Sequence, residues 1–166
     1  MKTTDNIMAA FAGESQANRK YLAFAKKAES EGFPEVAKLF RAAAYAETVH
    51  AHNHLNVAKG VNSTVDNLKQ AIEGESYEFS TMYPEFIKQA EADGNNEAKR
   101  SFELANEVEK IHEHLYNHAM KRVANGQDKE PSDIFVCEVC GNTVEGEAPG
   151  QCPICGARHD AFTKIE

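Results

Sequence analysis

Glu47-Thr48-Val49-His50 and Glu109-Lys110-Ile111-His112 are one four-residue word written twice in the chain. Glu and His three apart on an α-helix share a face and can grip one cation together. Each word lies in an apolar seam. Taken in steps of four and three, the first helix reads Val36, Phe40, Ala43, Glu47, His50, His54, Val57. The second reads Phe102, Ala105, Glu109, His112, Tyr116, Ala119, Val123. Glu and His stand where Leu or Ile would normally pack. An ionised carboxylate left alone in such a seam costs on the order of tens of kcal/mol by ideal Born solvation, so it must be neutralised or paired. One buried Glu is satisfied by a proton; four or more converging on one level call for cations.

Two further seams carry acids. An earlier helix, with Thr4 as its predicted N-cap and Gly32 as its stop, reads Ile7, Phe11, Glu14, Asn18, Tyr21, Ala25, Ala28. Pro34 suits the first position of the next helix, which the pattern carries to about Lys59 before Gly60 ends it. Ser63 to Asp66 has the shape of a capping box with Asp in place of Glu or Gln. The helical pattern after it reads Leu68, Ile72, Glu75, Phe79, Met82, Phe86, with Glu78 one turn beyond Glu75. Pro84 inside that pattern predicts a kink or a short break. Gly94 and Asn95-Asn96 make the next turn, and the last helix runs to about Asn125, stopped by Gly126. Gly13 and Gly74, in mid-helix, cost about 1 kcal/mol each against Ala, which points to close helix approach beside the ligands.

The helices repeat. An offset of 62 places Tyr21 on Tyr83, Phe24 on Phe86, Gly32 on Gly94, Phe40 on Phe102, Glu47 on Glu109 and His50 on His112. With a slip of one residue, Gly13-Glu14-Ser15 falls on Gly74-Glu75-Ser76. Residues 1–126 are therefore expected to be an all-α four-helix domain made of two helix hairpins, 1–60 and 63–126. Each hairpin supplies one lone Glu and one Glu-x-x-His, half of a coordination shell. The full set resembles that of ferritin-like di-iron and di-manganese carboxylate bundles. Hard carboxylates with one His per metal suit Fe or Mn, and bridging carboxylates set two cations a few Å apart.

Gln127 to Asp133 is polar, contains Pro131, and reads as a linker. Residues 134–166 hold all four cysteines of the 166-residue chain, as Cys137-x-x-Cys140-Gly141 and Cys152-x-x-Cys155-Gly156. Two such knuckles make a tetrahedral tetrathiolate site; Gly after each second Cys lets the backbone turn its N–H groups toward sulfur. So short a module folds only with metal supplying much of its stability. Spacing alone leaves zinc and iron both open. Paired CxxC motifs with no cysteine left over suit a reducing compartment, and we expect the cytoplasm. The net charge of −8 argues against nucleic acid or an anionic membrane surface as partner. Neither a signal peptide nor a membrane span is expected.

Together these residues resemble the rubrerythrin family: Glu14 with Tyr21, Glu47-x-x-His50, Glu75-x-x-Glu78 with Tyr83, Glu109-x-x-His112, and both knuckles. The resemblance implies a ferritin-like bundle followed by a rubredoxin-like module. It implies that Glu47 and Glu109 bridge two irons, that Glu14 is terminal on one, and that Glu75 and His112 are terminal on the other. It implies that the first iron exchanges His50 for Glu78 with redox state, and that Tyr21 and Tyr83 support the ligands. It further implies reduction of hydrogen peroxide to water. Electrons would come from NAD(P)H through a separate reductase or rubredoxin and then the tetracysteine iron, as a defence against oxidative stress. Competing readings are a ferroxidase or iron-handling protein, and an electron carrier with a zinc-stabilised module; zinc can occupy either site in isolated protein.

The joint between the second and third helices is short. The predicted bounds leave too little chain for Glu47 and Glu75 to reach one level, so a homodimer with hairpins swapped between chains is expected. The alternative is that residues 64–73 form a separate crossover piece. The helical stretch after His112, about 22 Å, places the cysteine module far from its own carboxylate ligands and favours electron delivery from a partner chain.

Overall fold

The computed structural model describes residues 2–127 and 132–166, so most of the expected linker, Pro131 included, lies outside the described residues. The chain divides into two compact units, residues 1–62 and 63–166.

The first unit is a helix hairpin, α1 (Thr3–Ser30) and α2 (Pro34–Val57). The helix α1 begins one residue before the expected cap, because Asp5 turns back to accept the Lys2 backbone N–H at 3.0 Å and Thr4 falls inside the first turn. At its other end Gly32 takes φ +83°, Phe33 N–H reaches Ala28 O at 2.9 Å and Gly32 N–H reaches Glu29 O at 3.1 Å. This is a Schellman stop. Pro34 sits at the first position of α2, where a missing N–H costs nothing. The end of α2 differs from expectation. The helix stops at Val57, and Lys59, not Gly60, takes the left-handed conformation with φ +57°. Gly60 is the next residue, where a Cβ would collide with Leu55 Cδ1.

The two helices meet through a stripe of small residues: Ala25 and Ala28 of α1, and Ala37, Ala44 and Ala51 of α2, all buried. The α2 stripe runs one residue after the ligand seam of Val36, Ala43 and His50. Glu47, three residues after Ala44 and four before Ala51, lies beside that stripe, and His50 lies further round the helix. Asn18 fastens the pair, donating its side-chain N–H to Ala44 O at 2.6 Å and to Thr48 Oγ1 at 2.8 Å.

The second unit begins with α3 (Thr64–Tyr77), a π-helical turn (Glu78–Met82) and α4 (Tyr83–Ala92), followed by α5 (Asn96–Ala124). Ser63 caps α3 by accepting Asp66 N–H at 3.2 Å; the Asp66 carboxylate takes the Ser63 hydroxyl at 2.6 Å, so the box closes between side chains. The break expected at Pro84 is the π turn just before it, where Tyr83 N–H reaches back five residues to Glu78 O. That turn accounts for the slip in the repeat. Glu14 and Tyr21 are seven apart and Glu75 and Tyr83 eight apart, and a π turn absorbs one extra residue while keeping both on one face. The stop at Gly94 copies that at Gly32: φ is +68°, and Asn95 N–H reaches Ala90 O at 2.9 Å.

An aromatic triad also repeats. Phe24 and Phe40 lie 5.6 Å apart, with Tyr21 6.3 and 6.2 Å from them. Phe86 and Phe102 lie 5.5 Å apart, with Tyr83 6.3 Å from each. The close approach expected at Gly13 and Gly74 is absent: a Cβ built on either meets nothing within 4 Å among the described residues.

The unit ends in a three-stranded antiparallel sheet of order β2-β1-β3, with β1 at Ile134–Cys137, β2 at Thr143–Glu145 and β3 at Phe162–Ile165. Cys137 ends β1. Its knuckle closes as Gly141 N–H reaches Cys137 O at 2.8 Å with Gly141 at φ +83°. The second knuckle repeats this with Gly156 N–H on Cys152 O at 2.9 Å and φ +78°. No helix among the described residues is long and apolar enough to cross a membrane.

Candidate metal centres

Among the described residues, three groups of side chains converge closely enough to hold a metal, and each gathers residues singled out from the sequence. In the first unit α1 supplies Glu14 while α2 supplies Glu47 and His50, their ligand atoms all within 4.8 Å of one another. His50 Nδ1 lies 2.8 Å from Glu47 Oε2. The burial expected of these seam positions holds for the acid but not for the imidazole: Glu47 is 18% exposed and His50 54%. The reason is that α1 covers the alanine stripe of α2, one residue off the position of His50.

In the second unit α3 supplies Glu75 while α5 supplies Glu109 and His112, again within 4.8 Å. His112 Nδ1 lies 2.8 Å from Glu109 Oε2 and 3.9 Å from Glu75 Oε1. The crowding of acids shows in their protonation. Burial first, and then the charge of Glu109 with a hydrogen bond to it, push Glu75 up to about 7. Glu78 falls outside the three-residue cluster but within reach of its field. Burial and the Glu109 charge raise its pKa, and His112 pulls the other way. Tyr83 is pushed up by burial and then by Glu109, Glu78 and Glu75, so its phenol keeps its proton beside three carboxylates. Tyr21 is half-buried against Phe24 and Phe40 at the matching place in the first unit. A carboxylate held at about 7 by burial and a neighbouring acid is what a divalent cation relieves.

Cys137, Cys140, Cys152 and Cys155 form the third group. The Cys137 and Cys155 sulfurs lie 3.7 Å apart, and those of Cys140 and Cys152 3.6 Å. A disulfide would need about 2 Å. A tetrahedron with metal–sulfur bonds near 2.3 Å has edges of about 3.8 Å, which these distances match. Burial pushes Cys140 up as a free thiol, and burial raises Cys155 as well. Burial opposes ionisation of Cys152 too, but the backbone N–H groups of Cys155 and Ile154, together with the Cys155 and Cys140 thiols, bring Cys152 down to about 7. The knuckles thus turn N–H groups toward sulfur as their glycines foretell.

Two residues that the sequence did not single out touch these centres. Asn142 is 2% exposed, and its side-chain N–H donates to Cys152 Sγ at 3.6 Å. Thr143 Oγ1 lies 3.0 Å from His112 Nε2. That second contact overturns the expectation that the module is remote from its own carboxylate ligands. Arg122 faces Glu145 at 3.4 Å, and β2 lies against α5 beside His112. The length of the helical stretch is as expected; the place of β2 against it has no local signal in the sequence.

A family model described as rubrerythrin matches residues 5–120, and one described as the rubredoxin-like domain of rubrerythrin matches residues 135–163. Rubrerythrin-2 of Clostridium acetobutylicum is 37% identical over 174 residues, covering 96% of this chain and 95% of its own. Nigerythrin of Nitratidesulfovibrio vulgaris is 37% identical over 176 residues, covering 97% of this chain and 85% of its own. Among solved structures, nigerythrin in its fully reduced, all-ferrous state is 33% identical, with a TM-score of 0.60 over 99% of this chain and 87% of that one. The mixed-valence state gives 34% identity and a TM-score of 0.59, with the same coverage.

Proposed function

Since the chain belongs to the rubrerythrin family, we propose that it is a di-iron peroxidase that reduces hydrogen peroxide to water. The observation that carries this reading is the pair of matching Glu, Glu, His clusters in a chain that also carries a tetrathiolate cluster. Carboxylates with one imidazole suit iron, and four thiolates suit an iron that relays single electrons. Bound iron supplies the electrons by which one peroxide and two protons become two molecules of water.

The side chains divide the remaining work. Glu14, Glu47 and His50 of the first unit and Glu75, Glu109 and His112 of the second would hold the two metals, with Glu47 and Glu109 the residues that the family resemblance would share between them. His50 is more than half exposed, and Glu78, whose neighbours are Glu109 and His112, would be the carboxylate that takes its place on a metal. The exchange has a charge logic: neutral imidazole suits Fe(II), and an added carboxylate offsets the extra charge of Fe(III). Tyr83 keeps its phenolic proton beside Glu109, Glu78 and Glu75 and so can donate to a carboxylate as charge moves. Cys137, Cys140, Cys152 and Cys155 hold the relay iron, supplied from NAD(P)H through a separate reductase or rubredoxin. The working form is a homodimer with helix hairpins exchanged between chains, in the cytoplasm.

The test is anaerobic stopped-flow mixing of the fully reduced, iron-loaded protein with peroxide or with dioxygen. Peroxide is expected to oxidise both centres fast and dioxygen slowly. The reverse order assigns the protein to iron oxidation, and a lack of thiolate-to-iron absorption bands removes the relay.

A further inference from the structure

We propose that Thr143 is a positioning residue for the carboxylate centre of the second unit: its hydroxyl fixes the tautomer of His112 and ties that ligand to the knuckle of Cys140. A hydroxyl has one proton. Thr143 Oγ1 donates it to Gly141 O at 3.1 Å. Only lone pairs then remain for His112 Nε2 at 3.0 Å, so that nitrogen carries the ring hydrogen and donates it. Nδ1 then offers its lone pair to the cation that it would share with Glu109 Oε2, 2.8 Å away, and Glu75 Oε1, 3.9 Å away; without the cation the 2.8 Å contact needs a proton on one of its two partners. The opposite tautomer would aim an N–H at the cation and require the Thr143 hydroxyl to give up Gly141 O in order to donate to Nε2. A ligating histidine held through its other nitrogen is a better ligand, in affinity and in direction.

Thr143 is itself held. It opens β2 and pairs with Val136 of β1, while Cys137 N–H bonds Asn142 O at 2.9 Å. The ladder that shapes the first knuckle therefore sets the position of the hydroxyl. His112, Thr143 and Gly141 form a two-hydrogen-bond link from one metal centre to the residue after Cys140, within one chain. His50 has no such clamp among the described residues, so the two imidazoles of the repeat differ: one is fixed and the other is free to leave.

The inference rests on the carboxylates being metal ligands, and the test separates the two. Full-length protein, its cysteine module prefilled with zinc, is titrated with cobalt(II) against a competing chelator, as wild type, Thr143→Val and Thr143→Ser. The valine variant is expected to lose roughly 10- to 100-fold in cobalt affinity, while the serine variant, which keeps the hydroxyl, stays within about twofold of wild type. Nitrogen-15 NMR of the unsubstituted protein with zinc in the carboxylate centre reads directly whether His112 Nε2 carries the ring hydrogen and requires no variant to fold. An Nε2 without its hydrogen there, or a valine variant that binds cobalt as wild type does, overturns the role of Thr143 while leaving the metal site standing. Wild type that binds no cobalt overturns both.

Discussion

At the scale of single residues, what the sequence makes legible is which side chains are out of place. Glu47, Glu75 and Glu109 occupy positions where an apolar residue would pack, and each converges with a histidine and a second acid. Their cost in the empty protein is visible at Glu75, whose carboxyl rises from 4.5 to about 7, chiefly through burial and then through Glu109. The native state therefore holds a proton that the unfolded chain has already released over that interval. Stability must fall as pH rises through it, because the native state binds more protons than the unfolded state. Metal-free protein is expected to lose melting temperature between about pH 4.5 and about pH 7. Glu75→Gln, which removes the titrating group, should flatten that part of the curve. Thermal melts across the range check this, and a wild-type curve that rises there contradicts the placement of Glu75. In metal-loaded protein the dependence reverses, since cations bind the deprotonated ligands and release the proton.

At the scale of elements, the helix ends were largely legible because caps are local chemistry. Gly32, Gly94 and Gly126 all take positive φ where the seams end, and Pro34 opens α2. At Lys59 the rule failed by one residue: the left-handed position fell before the glycine, which is kept small by Leu55. The slip in the repeat was legible as a slip but not as a π turn, since periodicity cannot say whether an extra residue bulges a helix or loops out of it. That turn begins at Glu78, for which the first hairpin has no equivalent: three residues after Glu14 stands Ala17. The insertion and the extra acid thus arrive together, and we expect the wide turn to aim Glu78. Deleting the exposed Ser80 restores a seven-residue interval between Glu75 and the tyrosine. The shortened helix should melt no lower than wild type and keep its cobalt affinity, since Glu75, Glu109 and His112 keep their faces. Peroxide reduction should fall by about a hundredfold, the cost of misplacing a reacting group by about 1 Å. Loss of cobalt binding together with activity would assign the turn to shaping the primary ligands instead.

At the scale of the whole molecule the question is how two half-shells become one. Six residues join Val57 to Thr64, and the seven Cα steps between them span at most about 25 Å. Glu47 lies ten residues before the end of α2 and Glu75 eleven after the start of α3, so bringing both to one level along parallel helices requires a return of about 31 Å. The observed bounds narrow the shortfall expected from the sequence, because α2 ends two residues early, but they do not remove it. On the proposed di-iron reading, a two-fold exchange of hairpins would supply two complete centres per dimer. Mixing chains that carry Glu14→Ala with chains that carry Glu109→Ala tests this by counting. If hairpins are exchanged, the mixed dimer pairs both lesions in one centre and leaves the other whole, so it recovers about half of the wild-type peroxide activity while each parent dimer has none. If each chain closes on itself, both centres of the mixed dimer carry one lesion and activity stays at the parental level. Tagging the two chains differently isolates the mixed species, and iron content per dimer gives the same answer independently of turnover.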